Sequence, residues 1–192
     1  MSRRAADAID VRRVDEFDQD AIRAITEPIF GDVARRAYLE SLVDPAQLSQ
    51  TLALIEALPK PQRIRVGAFQ RERLVGFTTG WFESVGGGRF YIGSSAVQAE
   101  HRRGGVYTRL LTELHRAVRE CGGTAVTSQH VATNQAVLIA KLKLGYVIAG
   151  TEYVEAMGLL VRLVLHLEAS RAALFRERTG MLVPPKAPPS SS

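Results

Sequence analysis

Cysteine is all but missing from this chain. Cys121 stands alone, which excludes an intramolecular disulfide framework and a cysteine-rich zinc site. His101, His115 and His166 show no paired ligand spacing, so no metal is expected. A long hydrophobic run is missing too. The longest apolar stretch, Met157–Leu167, is broken by Arg162 and falls far short of the ~20 residues a membrane helix needs. Met1-Ser2-Arg3-Arg4 leads into no apolar h-region, so no secretory signal is visible and the expected location is the cytoplasm, with no membrane partner. Charge of one sign is also scarce in the body of the chain. Of the net +5, residues 169–192 contribute four basic groups against one acidic, and the remainder is close to neutral. A nucleic-acid protein carries a basic stripe on its folded part, so nucleic acid is not an expected partner. The 192 residues, 46% hydrophobic and 23% charged, fit one ordinary globular domain.

Ile9, Val11 and Val14 suit a short first strand. From Asp18 to Leu58 the pattern is helical, with Ala21, Ile22, Ile25, Ile29 and Phe30 near helical spacing. Glu27-Pro28 and Gly31-Asp32 are expected to interrupt that run. Pro45 opens a second helix with Leu48, Leu52 and Ile55 on one face, and Pro59 and Pro61 end it. The period then changes to two. Ile64, Val66 and Ala68 alternate with Arg63, Arg65 and Gly67, Gln70-Arg71-Glu72 turns the chain, and strands follow over Leu74–Phe82 and Phe90–Val97 around the loop Ser84–Gly88. A helix is predicted from Gly105 to Glu120, a strand over Thr124–Gln129, a helix from Asn134 to Leu144, and strands near Tyr146–Tyr153 and Met157–Leu167. This order predicts an α/β (α+β) mixed sheet, an antiparallel meander joined to a βαβ crossover, with helices on both faces. Residues 1–168 read as the domain. Residues 169–192 read as a short amphipathic segment, Ala169–Arg178, and a flexible tail holding four of the eight prolines.

The most informative segment runs from Val97 to Leu111. A strand ends at Val97 and a helix begins near Gly105. Arg102, Arg103, Gly104 and Gly105 lie between them. Glycines let backbone N–H groups approach a ligand, a helix N-terminus offers unpaired donors, and arginines add charge-assisted bonds, so the turn reads as an anion site. The plain alternative is a glycine turn with two solvated arginines. Neither a P-loop nor a dinucleotide fingerprint matches the spacing. The segment resembles the acyl-CoA-binding motif of the GNAT superfamily of N-acyltransferases, V-x-P-x-x-R-x-x-G-x-G/A-x-x-L-L, with Val97, Arg102, Gly105 and Leu110-Leu111 in register. Ala99 replaces the common proline, and Tyr107 replaces a Gly or Ala, where it either packs under the loop or narrows the cofactor slot. A second segment, Asn134–Tyr146, resembles the family's N-x-x-A-x-x-L-Y-x-K-L-G-F/Y, with Asn134, Lys143, Leu144, Gly145 and Tyr146 aligned without gaps. Asn134 also suits a helix N-cap.

The resemblance implies a GNAT-like fold and acetyl-CoA as co-substrate. The pyrophosphate would rest on N–H groups from Arg102 through Arg103, Gly104, Gly105, Val106 and Tyr107 to Thr108. The pantetheine arm would meet Asn134 and the strand end, with the thioester near Ala96 or Val97. An amine would attack directly, with no covalent enzyme intermediate. The usual acid and base positions carry other groups: Lys141 where a tyrosine protonates the thiolate, and Gln129 and Tyr91 where glutamates act as bases. Three accounts stay open. Other residues act, the enzyme relies on water and positioning, or the fold binds CoA without turnover. Candidates for the first are His130 as a base near neutral pH or a structural histidine, Tyr107 as a thiol partner or a packing residue, and Glu83, Tyr153 and Glu155 facing the acceptor. Lys141 could donate a proton only if its pKa is depressed, and otherwise reads as a solvated helix lysine. The expected acceptor is a primary amine of a small molecule, walled by the helices within Asp18–Leu58 and the Ser84–Gly88 loop. A protein N-terminus or lysine is the rival acceptor. The Met157–Leu167 strand reads as buried on both faces, with a homodimer through it as the alternative.

Overall fold

A computed structural model describes residues 8–31, 38, 40–84, 87–154 and 157–178. The expected loop residues Val85-Gly86, the helix interruption at Asp32, Glu155 and the proline-rich tail lie outside them. The elements are β1 (Asp10–Val14), α1 (Gln19–Phe30), α2 (Pro45–Ala57), β2 (Arg63–Gln70), β3 (Arg73–Phe82), β4 (Arg89–Val97), α3 (Val106–Glu120), β5 (Ala125–Val131), α4 (Gln135–Lys143), β6 (Val147–Val154), β7 (Gly158–His166) and α5 (Ala169–Arg178). The strands form one seven-stranded sheet in the order β1-β2-β3-β4-β5-β7-β6. β1 to β4 are an antiparallel meander, β4 and β5 run parallel across the α3 crossover, and β5, β7 and β6 close the sheet antiparallel. This is the mixed α/β architecture that the change from helical to strand period predicts.

Each face buries its apolar row under a helix. Val106, Leu110, Leu111, Leu114, Ala117 and Val118 of α3 pack on Ile64, Val66, Val75, Phe90, Ile92 and Val126, with Tyr146 beside them. On the opposite face Ile25 of α1 meets Leu74, Phe77 and Ala96. The β2–β3 turn puts Arg71 and Glu72 at φ 49° and 62°, the left-handed pair that a two-residue hairpin requires.

Two expectations are corrected. Pro28 does not break α1. The Asp18 carboxylate caps the helix by accepting from Asp20 N and Ala21 N, and Gly31 closes it at φ 56°. Pro28 sits two residues from that end, where its missing N–H costs one rung. The α2 helix forms after Asp44 and Pro45 as predicted but buries none of its residues, and Leu52 and Ile55 are exposed. Just before β4, Gly88 O accepts from Thr124 N at 2.8 Å, which ties this residue to the α3–β5 connection. β7 has both hydrogen-bonding edges occupied, by β5 and β6, and β6 is the last strand on that side of the sheet. Among the described residues no helix is long and apolar enough to cross a membrane.

Candidate active site

Parallel pairing between β4 and β5 covers three rows, Arg89↔Ala125, Phe90↔Val126 and Tyr91↔Thr127. Beyond Tyr91 the two strands part. The cause lies in β4, where Ile92 pairs with Gly80 and Ser94 with Thr79, so that Gly93 is an extra, bulged residue. A Cβ on Gly93 would lie 2.3 Å from the Trp81 ring, so only glycine lets Trp81 lie against the bulge. The result is a wedge-shaped gap. One wall is the free edge of β4 up to Ala96 and Val97, which offers unpaired backbone groups to an extended ligand.

The connection to α3 closes the head of this gap. Gln98 N donates to Val75 O, a 3-10 turn covers Ala99–His101, and Arg103 takes φ 62°. Gly105 at φ 76° is the N-cap of α3 and makes no side-chain capping bond. The first intrahelical bond is Arg109 N to Gly105 O at 3.0 Å, so the N–H groups of Val106, Tyr107 and Thr108 have no acceptor within the helix. A Cβ on Gly105 would meet nothing within 4 Å, so the space above these donors is open. Arg102 Nε donates to Val97 O at 2.9 Å and pins the turn to the strand end. Arg103, Gly104 and Thr108 are exposed around it. A groove lined by Thr108, Ala136, Ile139, Ala140, Lys143 and Leu144 lies between the start of α3 and α4. Asn134 is the N-cap of α4, its Oδ1 accepting from Val137 N at 3.4 Å.

Lys141 is not the solvated lysine that its helical position suggests. It is fully buried, Nζ donates to Ser128 Oγ at 2.7 Å, and the ammonium lies 4.8 Å from the Tyr146 ring centre. Burial pushes its pKa down to about 7. Ser128 Oγ is in turn 3.2 Å from His130 Nε2. Burial first, and the Lys141 charge second, push His130 down to about 3, so its imidazole is neutral and a weak base. Tyr146 OH lies 2.7 Å from His115 Nε2, and burial followed by the charges of Lys141 and Arg119 lowers His115 to about 4. Tyr107 packs its ring against the main core, and burial raises its phenol well above the ordinary range. It therefore fills the space beneath the first turn of α3.

On the opposite face a second polar set crosses the gap. Tyr91 OH donates to Gln129 Oε1 at 3.1 Å, and Gln129 Nε2 donates to Glu152 of β6. Trp81 stacks on Tyr91 with ring centres 5.1 Å apart. Burial, followed by the Glu152 carboxylate, raises the Tyr91 phenol. The positions expected to lack carboxylates therefore have one nearby, supplied from another strand. Glu83 is set apart from this group. It pairs with Arg89 at 3.1 Å at the closed end of the β4–β5 pair, held by its role in the β3–β4 turn. Tyr153 is largely exposed on β6. Ser128 and Glu152 were not singled out by sequence. No motif marks them, because their partners come from α4 and β5 through the sheet register. Among the described residues no three His, Cys, Asp or Glu side chains gather as a metal site.

The sequence profile of the acetyltransferase (GNAT) family matches residues 28–146. No curated protein matches the chain by sequence. Among solved structures it is similar to the ribosomal-protein-S18-alanine N-acetyltransferase from Escherichia coli, at 13% identity and TM-score 0.61, covering 84% of this chain and 95% of that one. An N-acetyltransferase from Staphylococcus aureus Mu50 gives 20% identity and TM-score 0.61, covering 84% and 99%. An aminoglycoside 6'-N-acetyltransferase complexed with coenzyme A gives 15% identity and TM-score 0.57, covering 83% and 97%. With the profile spanning most of the chain and the parted β4–β5 pair beneath an uncapped helix, the protein belongs to the acetyltransferase (GNAT) family.

Proposed function

We propose that the protein transfers an acetyl group from acetyl-CoA to the primary amine of a small molecule, by direct attack on the thioester. The observation that carries this reading is the β4–β5 gap with the open N-terminus of α3 at its head. Unpaired N–H groups and a positive dipole end favour a pyrophosphate there. In this reading Arg102, Arg103, Gly104, Gly105, Val106, Tyr107 and Thr108 form the phosphate turn. The free edge of β4 at Ala96 and Val97 pairs with the pantetheine amides, and Asn134 borders the arm. The similar aminoglycoside acetyltransferase is complexed with coenzyme A, which supports the donor.

Catalysis then rests on positioning and proton transfer. The acceptor approaches the face opposite α3, where Trp81 and Tyr91 give an aromatic wall and Glu152 a carboxylate. Glu152 receives the proton that the amine loses, a task for which His130 is too weak a base. The catalytic unit spans residues 1–168, with 169–192 appended, and works in the cytoplasm.

A thermal shift tests the reading without knowledge of the acceptor. Acetyl-CoA and desulfo-CoA at about 100 times their dissociation constants should add about 2.7 kcal/mol and raise the melting temperature by roughly 5–10 °C. ATP should not. Thiol release across a panel of amines then identifies the acceptor. No shift with either CoA ligand would overturn the assignment.

A further inference from the structure

Arg162 lies in β7 with a strand on either side, opposite Gln129 of β5 and Gly150 of β6. Residues directly opposite in an antiparallel pair project from the same face, with Cβ atoms about 5 Å apart. Arg162 therefore shares a face with Gln129, and through its hydrogen bonds with Tyr91 and Glu152. The guanidinium is half-buried, yet among the described residues it has no hydrogen bond and no ion pair. Glu152, two residues along β6 from Gly150, faces the same side and bonds to Gln129 instead. Burial does most to raise the Tyr91 phenol, Glu152 adds to it and Arg162 opposes it, so both charges lie within reach of that hydroxyl. A Cβ on Gly150 would meet nothing within 4 Å, so the space beside Arg162 is open. Gln129 stands two residues beyond Thr127, the last β5 residue paired with β4, so this set borders the gap. A partly desolvated guanidinium without a counter-ion gains most from an anion that brings its own acceptors.

We propose that the acceptor is a free amino acid, its carboxylate held by Arg162 and its amine turned to Glu152, an assignment that rests on the acyl-transfer reading above. A carboxylate offers two oxygens to the fork of a guanidinium. A cation and a carboxylate kept unpaired on one face complement the two ends of a zwitterion. A polyamine finds no such match. Its further cations would meet Arg162 or Arg63, whose guanidinium lies 5.2 Å from the Trp81 ring centre. The amino acid arrives as an ammonium and yields one proton to solvent. Its nitrogen then bonds to the acetyl carbon, the C–S bond breaks, and sulfur leaves with the electron pair as CoA thiolate. The second proton of the nitrogen passes to Glu152. The product is an N-acetyl amino acid with its carboxylate still on Arg162.

The test compares each common L-amino acid with its carboxamide, which keeps the amine and the side chain and loses the negative charge. CoA release from acetyl-CoA gives kcat/KM. The best acid should exceed its amide by about 30-fold or more. The amide's amine is the less protonated of the two, so such a preference does not come from basicity. Arg162→Gln should bring the ratio near one and bind CoA as the native protein does. Arg162→Lys, which keeps the charge and loses the fork, should restore part of the ratio. Equal turnover of acid and amide by the native protein, or a preference kept in Arg162→Gln, would overturn the assignment. CoA binding without turnover of any amino acid would overturn it too, and leave the acyl-transfer reading standing with another acceptor. No CoA binding at all would overturn that reading, and this one with it.

Discussion

Lys141 and Glu152 show how the surroundings of a side chain set its behaviour. Lys141 is an ordinary lysine by sequence and a desolvated one in the fold. Its folded pKa is lowered to about 7 from 10.5, so the sign of its effect on stability follows directly. Below about pH 7 both folded and unfolded chains carry the ammonium, and the folded chain bears the full burial cost. Between 7 and 10.5 the unfolded chain holds more proton, so stability rises with pH. Lys141→Met should therefore stabilise the protein on the order of a few kcal/mol at about pH 6, with the gain fading as pH approaches the unfolded pKa. Urea midpoints at the two ends of that range check it, and a gain independent of pH would contradict the buried charge. Glu152 poses the opposite problem, an exposed carboxylate tied to Gln129. Glu152→Gln keeps the size and a hydrogen-bonding amide while removing the base. It should lower kcat/KM toward the amine by about 10² or more at neutral pH and leave CoA affinity unchanged. Steady-state rates beside a CoA titration separate the two effects.

Among the elements, α3 was fully legible and α4 was not. The glycines, the arginines and the apolar spacing of Val106, Leu110, Leu111, Leu114 and Val118 name both the start of α3 and its buried face. In α4, Val137, Leu138, Ile139, Ala140, Leu142 and Leu144 leave no polar stripe to orient the helix. The fold turns Lys141 inward and leaves Ile139 and Leu142 exposed, against the order that polarity alone would choose. The hydroxyl of Ser128, which makes that orientation tolerable, comes from a strand and is invisible in the helix pattern. The start of α3 yields its own prediction. At Gly105 a side chain has room but must adopt φ 76°, a strain of about 1 kcal/mol. Gly105→Glu should therefore fold with a slightly lower melting temperature while setting a carboxylate among the donors meant for phosphate. The thermal shift with acetyl-CoA should vanish. A retained shift would mean that the phosphates lie elsewhere.

At the scale of the whole molecule, the sheet order follows from two patterns, alternation at period two through the meander and a helix long enough to cross from β4 to β5. The parting of those strands has no signature in either pattern. In the fold it coincides with a single bulged residue of β4, Gly93, which has no partner in the register with β3. The same gap leaves a polar interior beneath it, and that interior sets how the molecule responds to acid. His115 and His130 are neutral in the fold, with pKa values near 4 and 3 against 6.5 when free, because both are buried and share the neighbourhood of Lys141. As pH falls below about 6.5 the unfolded chain takes up two protons that the folded chain refuses, so stability is lost with acidity. Between roughly pH 6 and 4 these groups alone give a slope approaching about 2.7 kcal/mol per pH unit, while Lys141 is charged in both states and adds none. His130→Gln removes one of the two sites and should about halve the slope across that interval in a series of urea titrations. A slope near zero in the native protein would show that both imidazoles take up protons as readily in the fold as outside it.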